Sequence, residues 1–192
     1  MEFSQIKTGL YLTEISDETI ESIAKIRMFD EKELDIRLYE LHQALLRCAK
    51  EKNKHKEIGI LWNLDTDETI LIFGEENGIC VGKDERALQM IKYAPVNSLV
   101  FLHNHPRNGM FSSKDINTFL DRASLYAMTA VCNDGTIYMM CKDENFSPVL
   151  VAEEYNQHKN EGQYSGIKHI ARIAKSLGLV YRCSMKRRRL HG

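Results

Sequence analysis

Hydrophobic and polar positions along the 192-residue chain follow two periods. Apolar residues three and four positions apart begin after Glu31 and predict an amphipathic helix of about 20 residues. Shorter helices are predicted after Ser16, after Asp84 and over Ser112–Leu125. A last amphipathic helix is expected from Ile167 to Leu177, where Gly178 is a natural stop.

Compact apolar runs between these segments predict strands. Two hairpins are expected, one turning at Asp65–Asp67 and one at Asn133–Gly135. The predicted strands are 58–62, 69–73, a short segment at 79–81, 98–102, 128–132, 136–141 and 148–151. The run 98–102 is uniformly apolar and is therefore expected in the middle of the sheet. Together the elements predict an α/β fold, with one mostly hairpin-connected sheet and helices packed on it.

Composition adds few constraints. The hydrophobic fraction of 43% permits a normal core, and a net charge of −1 gives no global field that would attract nucleic acid or a membrane. The five cysteines are odd in number and widely spaced, which favours reduced thiols in a cytoplasmic protein over a disulfide framework or a thiolate zinc site. The first residues resemble no signal peptide, and no apolar run approaches the roughly 20 residues of a membrane helix.

The candidate chemistry lies where the central strand ends, at His103-Asn104-His105-Pro106. Residues two apart on a strand share a face, so His103 and His105 can bind one ion. Asp115 is the best third ligand, because the loop 106–111 is short enough to fold the next helix back onto the strand end. A catalytic zinc commonly has three protein ligands and one open position for water. A further carboxylate would then be needed to accept a proton from that water.

The positions Glu57, His103-x-His105-Pro106 and Ser112-x-x-Asp115 resemble the motif of the JAMM/MPN (JAB) metalloprotease family. The residues His-Asn-His-Pro look most like the JAB domains of RadC-like bacterial and phage proteins. The similarity extends over roughly residues 57–150. The predicted order of elements also agrees with the family: helix, hairpin, helix, histidine strand, helix, hairpin.

This resemblance implies a JAB/MPN (cytidine-deaminase-like) fold, a mixed sheet with hairpins flanked by helices. Extra helices would stand at both ends: an N-terminal helical segment over 1–52, a metal-binding domain over 53–155, and a C-terminal helix with a basic tail over 156–192. It implies a Zn²⁺-dependent metallopeptidase or isopeptidase that hydrolyses an amide bond with a metal-bound water. The expected substrate is a protein or peptide, with ubiquitin-like conjugates among the candidates.

Within that resemblance each site residue has an implied role. His103, His105 and Asp115 would be the zinc ligands, Glu57 the general base, and Ser112 a donor that steadies the oxyanion. The spacer between His105 and Ser112 holds six residues, one fewer than is usual in the family. Taking Ser113 as the motif serine would restore the usual spacer length after His105, but it would leave one residue before Asp115 and so break the S-x-x-D pattern. The segment 74–78 is also too short for the insertion with which eukaryotic deubiquitinating members grip ubiquitin.

Each motif also has a simpler interpretation. Ser112-x-x-Asp115 is typical of a helix capping box, and Glu57 alone is typical of a solvated carboxylate at the start of a strand. Glu51 is the nearest alternative base, on the preceding helix.

Other metal-enzyme classes fit less well, because the chain has neither H-E-x-x-H nor the H-x-E with P-C-x-x-C of nucleoside deaminases. The tripeptide His-Asn-His does not itself indicate an HNH nuclease, whose residues are dispersed. The remaining histidines have no partners at ligand spacing and are expected on the surface: His42, His55, His158, His169 and His191.

A second function class comes from the C-terminal run Lys186-Arg187-Arg188-Arg189. Four consecutive cations can hold phosphates, so the alternative is a RadC-like DNA-associated or protein-interaction module that retains its zinc. The helices outside the metal-binding domain could also dock on a partner or a second copy, which the sequence leaves open.

Overall fold

The computed structural model describes residues 12–76 and 78–184. Their helices and strands follow in this order: α1 (Asp17–Ser22), α2 (Lys32–Lys52), β1 (Ile58–Asn63), β2 (Thr69–Phe73), α3 (Glu85–Tyr93), β3 (Leu99–His105), α4 (Ser113–Asp121), β4 (Leu125–Cys132), β5 (Ile137–Lys142), α5 (Pro148–His158), α6 (Ser165–Ile173) and β6 (Leu179–Ser184). Short 3₁₀ turns precede α3, at Val81–Lys83, and follow α6, at Ala174–Leu177.

The described strands form one six-stranded mixed sheet in the order β2-β1-β3-β4-β5-β6. The pair β3–β4 is parallel, whereas β1–β2, β1–β3, β4–β5 and β5–β6 are antiparallel. Both predicted hairpins are present, and the apolar strand 98–102 lies inside the sheet as β3. The α/β class expected from the sequence is therefore confirmed.

Helices cover both faces of this sheet. On one face α1 and α2 pack on alternate residues of β1, β3, β4 and β5. The stripe of Leu38, Leu41, Leu45 and Ala49 is buried as its spacing predicts. On the other face α3 to α6 cover a second apolar cluster that includes Phe101. Each strand therefore sends alternate side chains into two separate cores.

Helix starts are set by side-chain caps. Four side chains accept a hydrogen bond from a backbone N–H in the first turn: Ser16, Asp84, Ser112 and Ser147. These bonds satisfy donors that have no partner within the helix. At the other end, Gly178 takes a left-handed conformation (φ 69°) after α6 and its 3₁₀ turn, as predicted for a stop.

Three secondary-structure predictions are wrong. Residues 148–151 were expected as a strand, but they form the first turn of α5, with Ser147 as its cap and Pro148 at the first position. The helix expected over Ser112–Leu125 ends at Asp121, because Leu125 already begins β4. The short apolar segment 79–81 pairs with no strand in the described structure and leads into a 3₁₀ turn.

The C-terminal segment 156–192, predicted as a helix with a basic tail, also contains a strand. Residues 179–184 form β6, which pairs with β5 from Leu179↔Lys142 to Ser184↔Ile137. The basic run Lys186–Arg189 lies outside the described residues. Among residues 12–76 and 78–184, no helix is both long and apolar enough to cross a membrane.

Candidate metal centre

Strand β3 carries both motif histidines to its carboxyl end. Alternation along the strand places Phe101, His103 and His105 on the face covered by α4, and Leu102 and Asn104 on the opposite face. Pairing with β1 and β4 fixes the backbone of β3 at His103, and pairing with β4 fixes it at His105.

The two imidazoles and one carboxylate converge on a single point. Nε2 of His103 lies 2.9 Å from Nε2 of His105. The two oxygens of Asp115 lie 3.4 Å from these nitrogens, Oδ1 from His103 and Oδ2 from His105. Ligand atoms around a tetrahedral zinc, at bonds of 2.0–2.1 Å, lie about 3.3 Å apart. The three side chains therefore have nearly the separations that a shared ion requires.

The rings are oriented by different contacts. Nδ1 of His105 donates to the carbonyl of Gly109 at 2.7 Å, so Nε2 is the nitrogen that carries the lone pair whenever this imidazole is neutral. His103 is fully buried, and its ring stacks on Phe101 at 5.3 Å and lies 6.3 Å from Phe111. In the part of the chain that the structure describes, Nδ1 of His103 has no hydrogen-bond partner. Packing therefore sets the orientation of His103.

Asp115 belongs to a capping box that also serves the site. Its Oδ2 accepts hydrogen bonds from the backbone N–H and the hydroxyl of Ser112, both at 2.7 Å. The Asp115 N–H in turn donates to Ser112 Oγ at 3.2 Å. The capping interpretation and the ligand interpretation are therefore compatible, because the cap holds the carboxylate toward the histidines.

Glu57 lies beside the same point, just before β1. The register pairs Gly59 with His103, and continuing it by two residues sets Glu57 opposite His105. One ligand atom from each of Glu57, His103 and His105 lies within 4.8 Å of the others. The backbone of Glu57 is held by Asn53, whose side chain donates to the Glu57 carbonyl at 2.9 Å. The alternative base, Glu51, is exposed on α2.

Burial and charge act against each other on these groups. Burial raises the pKa of Glu57, and the nearby imidazoles of His103 and His105 oppose this shift without cancelling it. Burial also acts to raise the pKa of Asp115, but the charge of His103 and hydrogen bonds from both imidazoles outweigh it and hold that pKa well below its usual range. Burial acts to lower the pKa of His105, yet Asp115, the Gly109 carbonyl and Glu57 raise it. Two carboxylates thus give this buried point a preference for positive charge.

The site opens into a cleft of about 470 Å³. Gly78 lies in its wall at φ +142°, and a Cβ there would come within 3.1 Å of Lys114 Nζ and 3.9 Å of Glu57 Oε2. Across the cleft, Tyr164 packs so closely against Gly109 that a side chain at Gly109 would collide with its hydroxyl. Glycine at these positions keeps the cleft open beside the carboxylate and lets Tyr164 approach the loop that orients His105.

Asn104, the middle residue of the motif, has a role that the sequence did not reveal. It is fully buried on the face opposite the histidines. Its Oδ1 accepts from the Ile58 N–H at 2.7 Å, and its Nδ2 donates to the Lys56 carbonyl at 3.2 Å. These bonds fix the backbone on both sides of Glu57. A third bond, to Asn133 Oδ1 at 2.8 Å, ties the same amide to the β4–β5 turn.

The prediction that the other histidines lie on the surface is wrong for His42. This residue is on the buried side of α2 and is hydrogen-bonded to Thr129 Oγ1 of β4 at 2.9 Å. His55 is half-buried and accepts a hydrogen bond from the Ile15 N–H. His158 and His169, which are eleven residues apart in sequence, stack on each other with ring centroids 3.7 Å apart. His191 lies outside the described residues.

Comparison of the chain with protein-family models, with curated proteins and with solved structures found no match. The similarity to the JAMM/MPN family therefore rests on the motif residues. The nucleic-acid alternative rests on Lys186–Arg189, which lie beyond the described part of the chain.

Proposed function

We propose that the chain is a zinc-dependent metallopeptidase or isopeptidase of the JAMM/MPN type, with His103, His105 and Asp115 as zinc ligands. One observation carries the proposal: two imidazole nitrogens 2.9 Å apart share a buried carboxylate 3.4 Å from each, beside the buried Glu57. Two nitrogens this close, with one of them carrying a lone pair, need a proton or a cation between them.

The donor set fits zinc. Imidazole and carboxylate are both common zinc ligands, and three protein ligands leave one position for a reactant. The His105–Gly109 hydrogen bond and the Ser112–Asp115 cap are the outer contacts that normally orient metal ligands. His103 departs from this rule because its ring is held by aromatic packing instead of a hydrogen bond.

Glu57 is the proposed general base. When bound, zinc supplies a Lewis acid that acidifies the attacking water and polarises the scissile carbonyl. Glu57 accepts the proton that the water loses and returns it to the leaving nitrogen. Its burial raises its pKa, which suits a carboxylate that must hold a proton between these two steps.

Ser112 has two proposed roles. Its hydroxyl donates to Asp115, which supports a part in holding the ligand. Its place in the cleft wall is compatible with the second role, donation to the oxyanion of the substrate. The short spacer after His105 distinguishes this chain from the usual family pattern at this point.

The fold and the substrate belong to the same proposal. The order α2, the β1–β2 hairpin, α3, β3, α4 and the β4–β5 hairpin supports a JAB/MPN fold, with α1, α5, α6 and β6 as additions. The open cleft supports an extended protein or peptide substrate, ubiquitin-like conjugates among them. No membrane partner is part of the proposal.

The test measures zinc content and hydrolysis together, in the full chain and two variants. The assay probe is a mixture of quenched fluorescent peptides that contains both peptide and lysine isopeptide bonds. Wild type is expected to hold zinc in the cleft and hydrolyse members of the mixture. His105→Ala should lose the cleft zinc and the activity, whereas Glu57→Gln should keep the zinc and lose about 100- to 10,000-fold in rate.

Two outcomes would contradict the proposal. Undiminished hydrolysis by either variant would exclude the assigned site. Zinc bound in the cleft of wild type with no cleavage in any member of the mixture would instead favour the alternative of an interaction module with a retained zinc.

A further inference from the structure

A second group of metal-binding side chains lies on the hairpin formed by α5 and α6, away from the cleft ligands. Glu154 and His158 are four residues apart on α5 and therefore share one face of that helix. His169 comes from the adjoining face of α6. One ligand atom from each of these three half-buried side chains lies within 4.8 Å of the others.

The hairpin is packed closely enough to bring these residues together. A Cβ at Gly166 would come within 2.8 Å of the Tyr155 ring, so this glycine lets α6 approach α5. The imidazoles of His158 and His169 then stack with centroids 3.7 Å apart and planes 27° from parallel.

Carboxylates orient both rings. Nδ1 of His158 is 2.8 Å from Glu161 Oε1 and donates to it, which leaves the lone pair on Nε2. Nη2 of Arg172 lies 2.8 Å from Nδ1 of His169, and because arginine only donates, Nδ1 of His169 must accept. Nε2 of His169 therefore donates to Glu154 Oε2, at 2.8 Å. For an ion to bind Nε2 of His169 the ring proton must move to Nδ1, and the exposed Arg172 side chain must turn away, because a metal-bound imidazole is neutral.

We propose that Glu154, His158 and His169 form a second site for a divalent transition-metal ion, with Glu161 orienting His158. Two imidazoles and one carboxylate suit Zn²⁺ and its neighbours in the first transition row, and not Mg²⁺ or Ca²⁺, which prefer oxygen ligands alone. A metal ion lies in the plane of each imidazole that binds it. The two rings must therefore turn out of their stacked arrangement to bring the ligand atoms to the roughly 3.3 Å of a tetrahedral site, and their half-buried positions permit this.

The second ion is structural. Its ligands come from two helices, so binding holds α5 against α6 at the end where the connection 159–164 begins. That connection carries Tyr164, which lines the cleft and packs against Gly109. The ion therefore fixes the position of one cleft wall without touching the cleft ligands. This inference does not depend on catalysis in the cleft.

The test uses the full chain carrying His105→Ala, so that zinc at the hairpin is measured without the cleft site. Titration with ZnCl₂ against a chromogenic chelator should give one zinc per chain. Glu154→Gln in this background should weaken zinc binding more than tenfold, whereas the matched control Glu153→Gln, which changes the exposed neighbouring carboxylate, should leave it within twofold. Zinc at 100 times its Kd should raise the Tm by about 5–10 °C, and at the same zinc concentration Glu154→Gln should reduce that shift by half or more.

Adding His169→Ala or His158→Ala should remove the remaining zinc, with circular dichroism to verify folding. The proposal is overturned if the His105→Ala chain binds no zinc up to about 100 times the concentration that saturates wild type, or if its zinc survives both histidine changes. If wild type and His105→Ala bind the same single zinc and His169→Ala removes it, the hairpin site stands and the cleft proposal fails.

Discussion

Histidine side chains are buried on both faces of the central sheet, and their pKa values are shifted in opposite directions. His42, between α2 and β4, is surrounded by apolar residues and has Thr129 as its hydrogen-bond partner. Burial alone lowers its pKa to about 3. His105, on the other face, is also largely buried, yet its pKa is raised because Asp115, Gly109 and Glu57 surround it with negative charge.

His42 and His105 therefore differ as a core histidine differs from a proposed metal ligand. Desolvation is similar on both faces, so the difference comes from the carboxylates and the carbonyl placed around His105. A neutral imidazole with one hydroxyl partner, as in His42, needs no further charged partner. An imidazole facing a second imidazole and two carboxylates forms a site that favours a cation, and this is the physical basis for placing a metal in the cleft.

Asn104 holds the backbone on both sides of Glu57 from the face opposite the histidines, and its replacement should have the largest effect. Asn104→Leu leaves the Ile58 N–H, the Lys56 carbonyl and Asn133 without their buried partner. At about 1–3 kcal/mol for each unsatisfied group, we expect a loss of about 4 kcal/mol in the free energy of unfolding, measured in urea. Asn117→Leu, on the exposed face of α4, should change it by less than about 0.5 kcal/mol. Equal effects would show that Asn104 does not hold the backbone around Glu57.

The carboxylate of Asp115 is what distinguishes the cleft from the His42 pocket. Asp115→Asn keeps the shape but removes the charge, and zinc affinity of the cleft should fall more than 100-fold, about 2.7 kcal/mol. Competition with a chelator measures this change. The matched control, Asp121→Asn at the other end of α4, should leave the affinity unchanged. Similar zinc affinity in Asp115→Asn would remove Asp115 from the ligand set.

The His42 pocket can be tested through pH. The unfolded chain protonates this residue near its ordinary pKa of 6.5, whereas the folded chain resists protonation down to about 3. Between these values the unfolded state binds more protons, so His42 makes stability fall as pH is lowered. From pH 6.5 to 4.5 wild type should lose about 2 kcal/mol more than His42→Gln, which does not titrate. Parallel acid profiles for the two proteins would refute a neutral buried His42.

Ser112→Ala should give the smallest change. Losing the cap is expected to cost about 1 kcal/mol of stability, and losing a bond that orients Asp115 about tenfold in zinc affinity. Ser112→Thr should restore both. Ser113→Ala, which loses a hydrogen bond to Tyr155 instead, should leave zinc affinity unaltered. If Ser112→Ala lowers the hydrolysis rate at saturating zinc, the oxyanion role gains support.

The sequence predicted those parts of the fold whose signals are local. The stripe of α2, both hairpins and the stop at Gly178 follow from spacing and turn residues. The error at 148–151 arose because apolar residues after a proline suit either a strand or the start of a helix. The signal that distinguishes the helix is Ser147, which caps α5. Strand β6 was missed because its pairing with β5 depends on residues about 40 positions away.

In the candidate site, too, the residues with local signals could be predicted and those with distant partners could not. His103, His105, Ser112 and Asp115 lie in one short stretch, so their proximity could be expected from a strand, a loop and a helix cap. Asn104 could not be assigned, since its partners at Lys56 and Ile58 become neighbours only when β1 and β3 pair. The contact between His158 and His169 likewise depends on how α5 and α6 fold back on each other. The two histidines are eleven residues apart, and that separation is not a spacing from which a metal site could be predicted.

Anomalous diffraction at the zinc edge, from crystals of the full chain grown with zinc, would locate the ion proposed for the cleft. We expect a peak about 2.0–2.2 Å from Nε2 of His103, Nε2 of His105 and a carboxylate oxygen of Asp115. Crystals that contain zinc but show no anomalous peak within bonding distance of these two histidines would contradict it.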